Sequence, residues 1–210
     1  MSVDIERSVM WFILMVVAIT IHEFAHAISA DRLGDPTPRS QGRISLNPID
    51  HLDPLGTFMM VVSAFTGVGF CWGKPVMTNP SNFKHPLRDM MIVAACGPLS
   101  NLLQALVFAG LIQYNWVHST WTDFSELDVF LQLGIHVNLW LMLFNMIPIP
   151  PLDGSKILYA LLPADLGERY DRTMRQFGLI LFILLVVTGA TAYIIGPQEE
   201  MAFHFLADQR

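Results

Sequence analysis

Apolar residues along this chain fall into long blocks separated by short polar stretches rich in proline and glycine. The first block, about Ser8 to Ser29, is built mainly from Trp, Phe, Ile, Leu, Met, Val and Ala. About twenty such residues, rising about 1.5 Å each, cross a hydrocarbon core about 30 Å thick, so the block predicts a first membrane span. Ala30 to Asp53 is polar, with turn chemistry at Gly34-Asp35-Pro36 and Pro38 and a short alternation at Arg43-Ile44-Ser45-Leu46. It predicts turns and one or two short strands at the membrane surface. Pro54 to about Phe65 can begin a helix, and the glycine-rich run from Thr66 to Pro75 predicts extended backbone. Such backbone is tolerated at membrane depth only when buried in protein or lining a cavity. Pro54 to Pro75 therefore reads as a helix with a re-entrant extended return, a plain transmembrane helix being the alternative.

Three more spans follow, at about Asp89–Leu111, Val129–Met146 and Phe177–Ile195, with an aromatic, acidic loop from Tyr114 to Asp128 and a short acidic tail from Gly196. Pro148, Pro150 and Pro151 end the third of the uninterrupted spans and hold an extended segment before Asp153. The fold expected is an all-α polytopic membrane protein of about five to six transmembrane or re-entrant segments, with a short membrane-associated β region after the first span. Residues 1–210 read as one domain, its core at about 8–157 and an additional span at 177–195.

Composition agrees: 53% of the 210 residues are hydrophobic and only 14% charged, with mean hydropathy +0.46. A net charge of −6 offers no basic face for nucleic acid. Cys71 and Cys96 have neither disulfide nor zinc-site spacing. Asp4 and Glu6 outweigh Arg7 where a signal peptide is positive, so the first span is expected to be uncleaved. With the N-terminus outside, ten of the twelve Lys and Arg residues fall inside, the bias expected of cytoplasmic segments. That count requires Pro54 to Pro75 to begin and end on the inner side.

Candidate chemistry sits inside the first block, at His22-Glu23-Phe24-Ala25-His26. On a helix the two histidines share one face a turn apart, at the spacing that binds one metal ion, with Glu23 beside them as a general base. An acid and two histidines are expensive in hydrocarbon, at roughly +2.5 to +3.5 kcal/mol for a central charge, and read as functional. Zinc needs a third protein ligand, with the fourth position left to water. Asp153, His51, Asp53 and His136 are candidates. Asp153 is favoured because prolines stiffen its approach and Gly154 permits a tight backbone beside it. His51 and Asp53 have a helix-capping alternative, His136 that of a packed histidine. Asn101, mid-span, suits either an interhelical hydrogen bond or a direct role in the site.

Together with Gly97-Pro98-Leu99-Ser100-Asn101, with Asn145, and with Pro148 to Gly154, the His-Glu motif resembles the site-2 proteases, intramembrane zinc metalloproteases. Arg43 to Pro48, His51 to Pro54 and Trp72 to Val76 resemble the compact bacterial branch without PDZ or CBS domains. The resemblance implies one Zn2+ per chain held by His22, His26 and Asp153, with Glu23 activating water and protonating the leaving amine. It implies Asn145 as a donor to substrate backbone or oxyanion, and strand pairing of an unwound substrate with the segments near Arg43 and Phe70 to Pro75. The expected partners are a single-span membrane-protein substrate, the lipid bilayer and a regulatory membrane partner. The expected location is the bacterial inner membrane, the site toward the cytosolic side. A membrane metal transporter and an inactive client-binding relative are the alternatives.

Overall fold

A computed structural model describes residues 4–66, 71–118 and 125–207. Its α-helices are α1 (Ile5–Arg32), α2 (Thr37–Ser40), α3 (Pro54–Thr66), α4 (Pro86–His118), α5 (Ser125–Asn145), α6 (Asp153–Leu161), α7 (Ala164–Val187) and α8 (Ala190–Ala207). α1, α4 and α5 are long and apolar enough to cross a membrane, and α7 with α8 adds a fourth crossing if that bent pair is one span. α4 packs against both α1 and α5, and α1 against α5. Leu14, Met15, Ala18 and Ile19 of α1 interlock with Met60, Val137 and Leu141. Ala105 and Ala109 of α4 let Ile135 and Leu139 of α5 approach closely. Large apolar side chains such as Phe58, Leu103, Val107 and Leu179 point outward. In water these faces would be a liability, whereas hydrocarbon solvates them.

The β region predicted after the first span does not form: among the described residues there is no strand, only an isolated antiparallel bridge between Leu52 and Gly73. Pro36, Pro38 and Pro48 supply no N–H to a ladder and fix φ in turn geometry. Side chains take the remaining polar groups. Buried Asp35 accepts from the Thr37 N–H at 3.1 Å and its hydroxyl at 2.5 Å, from the Asn79 N–H at 2.7 Å and from the Asn82 amide at 2.7 Å. The His51 ring bonds the Ser45 carbonyl at 2.6 Å. The segment folds as α2, a 3-10 turn at Pro48–Asp50 and connecting turns.

α3 has 13 residues, a length of about 20 Å against a core of about 30 Å. The Leu52–Gly73 bridge and a 2.8 Å bond from the Lys74 N–H to the His51 carbonyl set the two ends of this excursion side by side. Gly67 to Phe70, part of the predicted extended return, lie outside the described residues, as do 119–124 of the predicted aromatic loop. The predicted last span is corrected too. α7 and α8 meet at a 72° bend, with Gly189 at φ +68°, where a side chain would be strained. The predicted short tail continues α8 as far as Ala207.

Asp35 gives this part of the fold a pH signature. Burial by itself would raise its carboxyl pKa, but the bonds from Thr37, Asn82 and Asn79 together hold it below the usual range. A depressed folded pKa contributes stability that is complete above the unfolded value of about 3.9 and is lost as pH falls through the folded value. Asp35→Asn is expected to lower the Tm in detergent at pH 7, by roughly 1–3 kcal/mol of stability. The gap from wild type should narrow below about pH 4, and a gap independent of pH would remove Asp35 as its source.

Candidate metal centre

Helical spacing puts His22 and His26 on the face of α1 that meets α4, both buried, with ring centroids 4.6 Å apart and planes at 85°. Gly97 of α4 makes room for them. A Cβ there would lie 2.6 Å from His22 Nε2 and overlap the His26 ring. Asp153 arrives from the other side as the first residue of α6, behind the loop that leaves α5. Gly154 lets that loop fold back, since its Cβ would meet the Met146 and Ile147 carbonyls.

Three donor atoms converge. His26 Nε2 is 3.0 Å from His22 Nε2 and 3.0 Å from Asp153 Oδ2, and His22 Nε2 is 3.3 Å from the same oxygen. They are the one group of three or more metal-binding side chains among the described residues. Bonds of about 2.0–2.1 Å in a tetrahedron place neighbouring ligand atoms roughly 3.3 Å apart, so a zinc ion fits among them.

The backing of the two rings carries the stronger argument. His26 Nδ1 lies 2.7 Å from the Val93 carbonyl, which can only accept. His22 Nδ1 lies 2.6 Å from Asn101 Oδ1. The Asn101 amide nitrogen donates to Asn138 Oδ1 at 3.0 Å and toward the Ala18 carbonyl at 3.4 Å. Asn138 in turn donates to the Gly134 carbonyl at 2.9 Å. This relay fixes which end of each amide faces which way, so both neutral rings carry their proton on Nδ1 and a lone pair on Nε2. Two lone pairs and a carboxylate oxygen aimed at one point repel each other unless a cation lies between them.

Glu23, one residue along α1, is held from outside the bundle. Its Oε2 accepts the Val76 N–H at 3.1 Å, with Arg43 Nη2 at 3.7 Å. The same guanidinium donates to the Lys74 carbonyl. Burial pulls the Arg43 pKa below its usual value, while Glu23 and Asp50 act against that. Lys156 Nζ stands 3.5 Å from Asp153 Oδ1, the oxygen turned away from the histidines. A cavity of 1320 Å³ opens beside the site, with His22, Glu23, Trp72, Gly73 and Asn145 on its wall.

The other predicted residues sort clearly. Asn101 is fully buried behind His22, its Oδ1 on His22 Nδ1 and its amide nitrogen donating to Asn138 Oδ1, the interhelical hydrogen bond that was one of its two expected roles. Asn145 does line the cavity, one amide hydrogen committed to the Leu141 carbonyl at 3.0 Å. Asp53 caps α3 through the Gly56 N–H at 2.8 Å. His51 packs on Ser45, and His136 pairs with Glu199. Sequence reading missed Asn138, Arg43 and the Val93 carbonyl. Asn138 had a signal, an amide in an otherwise apolar span seven residues before Asn145. Arg43 reads as the start of a short strand near the substrate, with nothing to tie it to Glu23, and a backbone carbonyl leaves no trace in sequence.

Comparison with known proteins bears on the same residues. The model of Peptidase family M50 matches residues 114–188, which include Asn145 and Asp153. A Bacillus subtilis (strain 168) protein named "Putative zinc metalloprotease YwhC" is 39% identical over 189 residues, 88% of this chain and 83% of its own length. Two mycobacterial proteins are named Rip2 in the same manner. That of Mycolicibacterium smegmatis is 30% identical over 85% of this chain and 68% of its own, that of Mycobacterium tuberculosis H37Rv 30% over 80% and 63%. No solved structure matches.

The relay gives a sharp expectation. Asn101→Leu removes no metal-binding atom, yet it should weaken zinc binding about 10- to 100-fold. Gly97→Val should abolish stoichiometric zinc by displacing both rings. Chelator competition on the purified protein measures both, and wild-type affinity in Asn101→Leu would show that the ring does not need its backing.

Proposed function

Because this chain belongs to peptidase family M50, the site-2 proteases, and is a zinc metalloprotease with membrane-spanning helices, we propose that it cuts peptide bonds within or beside transmembrane segments. One observation carries this reading: His22 of the three-atom cluster and Glu23, both on the spanning-length helix α1, border a largely apolar cavity, with His26 and Asp153 directly behind His22.

His22, His26 and Asp153 are the residues that would hold the ion. Bound there, zinc supplies a Lewis acid that polarises a peptide carbonyl and lowers the pKa of water to about 7. Glu23 takes a proton from the attacking water and returns it to the leaving amine nitrogen. Its Oε2 is engaged by Val76 and Arg43, which leaves Oε1 for that transfer. Asn145, on the cavity wall, supports the substrate carbonyl through its uncommitted amide hydrogen. Such a donor contributes about 3 kcal/mol to transition-state stabilisation.

The substrate is a single-span membrane protein whose scissile stretch unwinds, because helical peptide bonds are shielded by their own hydrogen bonds. The charge bias of the chain supports an orientation with the N-terminus outside the bacterial inner membrane and the site toward the cytosol. In that orientation Pro54 and Pro75 both lie on the inner side, which makes α3 part of a re-entrant excursion. A regulatory membrane partner fits a chain whose helices leave broad apolar faces exposed. A metal transporter would need a second cluster along a path, and among the described residues there is one.

Glu23→Gln is expected to keep zinc and bind a single-span reporter while its cleavage rate falls at least about 100-fold. Retention of wild-type turnover would show that another group is the base. A cysteine at Lys74 should react with an impermeant thiol reagent only from the inner side of oriented vesicles, and labelling from outside would reverse the topology.

A further inference from the structure

His136 is the one titratable group inside the apolar run of α5, and the metal site does not use it. Its Nδ1 contacts Glu199 of α8, and its ring stacks on Phe203 with centroids 4.0 Å apart at 14°. A histidine inside the spanning-length helix α5, paired with an acid, is costly among apolar side chains, and a pair serving only to fasten α8 to α5 would be sealed between the helices. This one is not sealed. The His136 side chain is 44% exposed, Glu199 15%, and both line the same cavity as His22 and Glu23. Asn138 shares the level of Asn101 and His22 through the hydrogen-bond relay. His136 lies two residues, about 3 Å of helix rise, toward the start of α5.

Resting on the proteolytic reading above, we propose that His136 and Glu199 form a specificity subsite that binds a hydrogen-bond-donating side chain, amide or ammonium, of the substrate span. With Nδ1–H donated to Glu199, His136 Nε2 and the free carboxylate oxygen both accept, on a wall otherwise largely apolar. Leucine leaves these acceptors unpaired once it expels water, whereas glutamine or lysine satisfies them. The three residues also have nearly equal helix propensity, so a preference among them does not report ease of unwinding.

The test uses the purified, zinc-loaded full chain in nanodiscs and single-span reporters carrying Leu, Gln or Lys at successive positions within about six residues of the cut. At one register Gln and Lys should exceed Leu in kcat/KM by about tenfold. Glu199→Leu and His136→Phe should each bring that ratio near one, whatever their absolute rates, with Glu199→Gln as the milder variant if Glu199→Leu does not fold. Equal cleavage of all three reporters by wild type, or a ratio unchanged in the variants, overturns the subsite. If wild type cleaves no reporter, the proteolytic reading fails on its own. The subsite is then judged by photo-cross-linking of the same spans, where equal yields for Gln, Lys and Leu overturn it and a Gln and Lys excess lost in the variants upholds it.

Discussion

Two imidazole nitrogens 3.0 Å apart, facing a carboxylate oxygen in an apolar bundle, make the contact on which the rest of this structure depends. In water each group would be solvated. Here Val93 and Asn101 take the Nδ1 proton of each ring, so in the neutral tautomers both Nε2 lone pairs face the carboxylate. The bundle holds the three atoms at this spacing. Gly97 gives the rings their space, and the α4–α5 amide relay locks one of them. The proline-rich loop brings Asp153 across. A divalent cation held between the three donor atoms would turn this costly arrangement into a favourable one.

Glu23 is held by different means. A buried carboxylate without a partner costs several kcal/mol, and pairing offsets that only when hydrogen bonds accompany it. Val76 gives a backbone N–H and Arg43 a guanidinium, both from the polar stretches that flank α3. Those stretches are tied together in turn by Asp35 and by the Leu52–Gly73 bridge. The turns that replace the predicted strands therefore have a use of their own: they carry charge to the base from outside the bundle.

Much of this was legible in the sequence because the signals are local and severe. His22, Glu23 and His26 lie within one helical turn, and a costly group in an apolar run advertises itself. Asp153 could be favoured because three prolines restrict its backbone. Spans one, three and four followed from block length alone. What stayed hidden depends on tertiary partners. Alternation at Arg43-Ile44-Ser45-Leu46 suggests a strand, but a strand needs an edge to pair with, and nearby prolines and side-chain acceptors remove it. The 72° bend after Val187 rests on one glycine in a run as apolar as any span. Asn101 was visible as a polar residue, yet only its neighbours decide whether it faces the substrate or backs a histidine.

Zinc K-edge X-ray absorption on the loaded protein tests the centre most directly, because it counts ligand types without relying on activity. The expected spectrum contains two imidazole shells and light oxygen scatterers at about 2.0–2.1 Å, with a carboxylate contribution lost in Asp153→Ala. Sulfur at about 2.3 Å would draw in Cys71 or Cys96. That result, or a third imidazole shell, would contradict a site made by His22, His26 and Asp153.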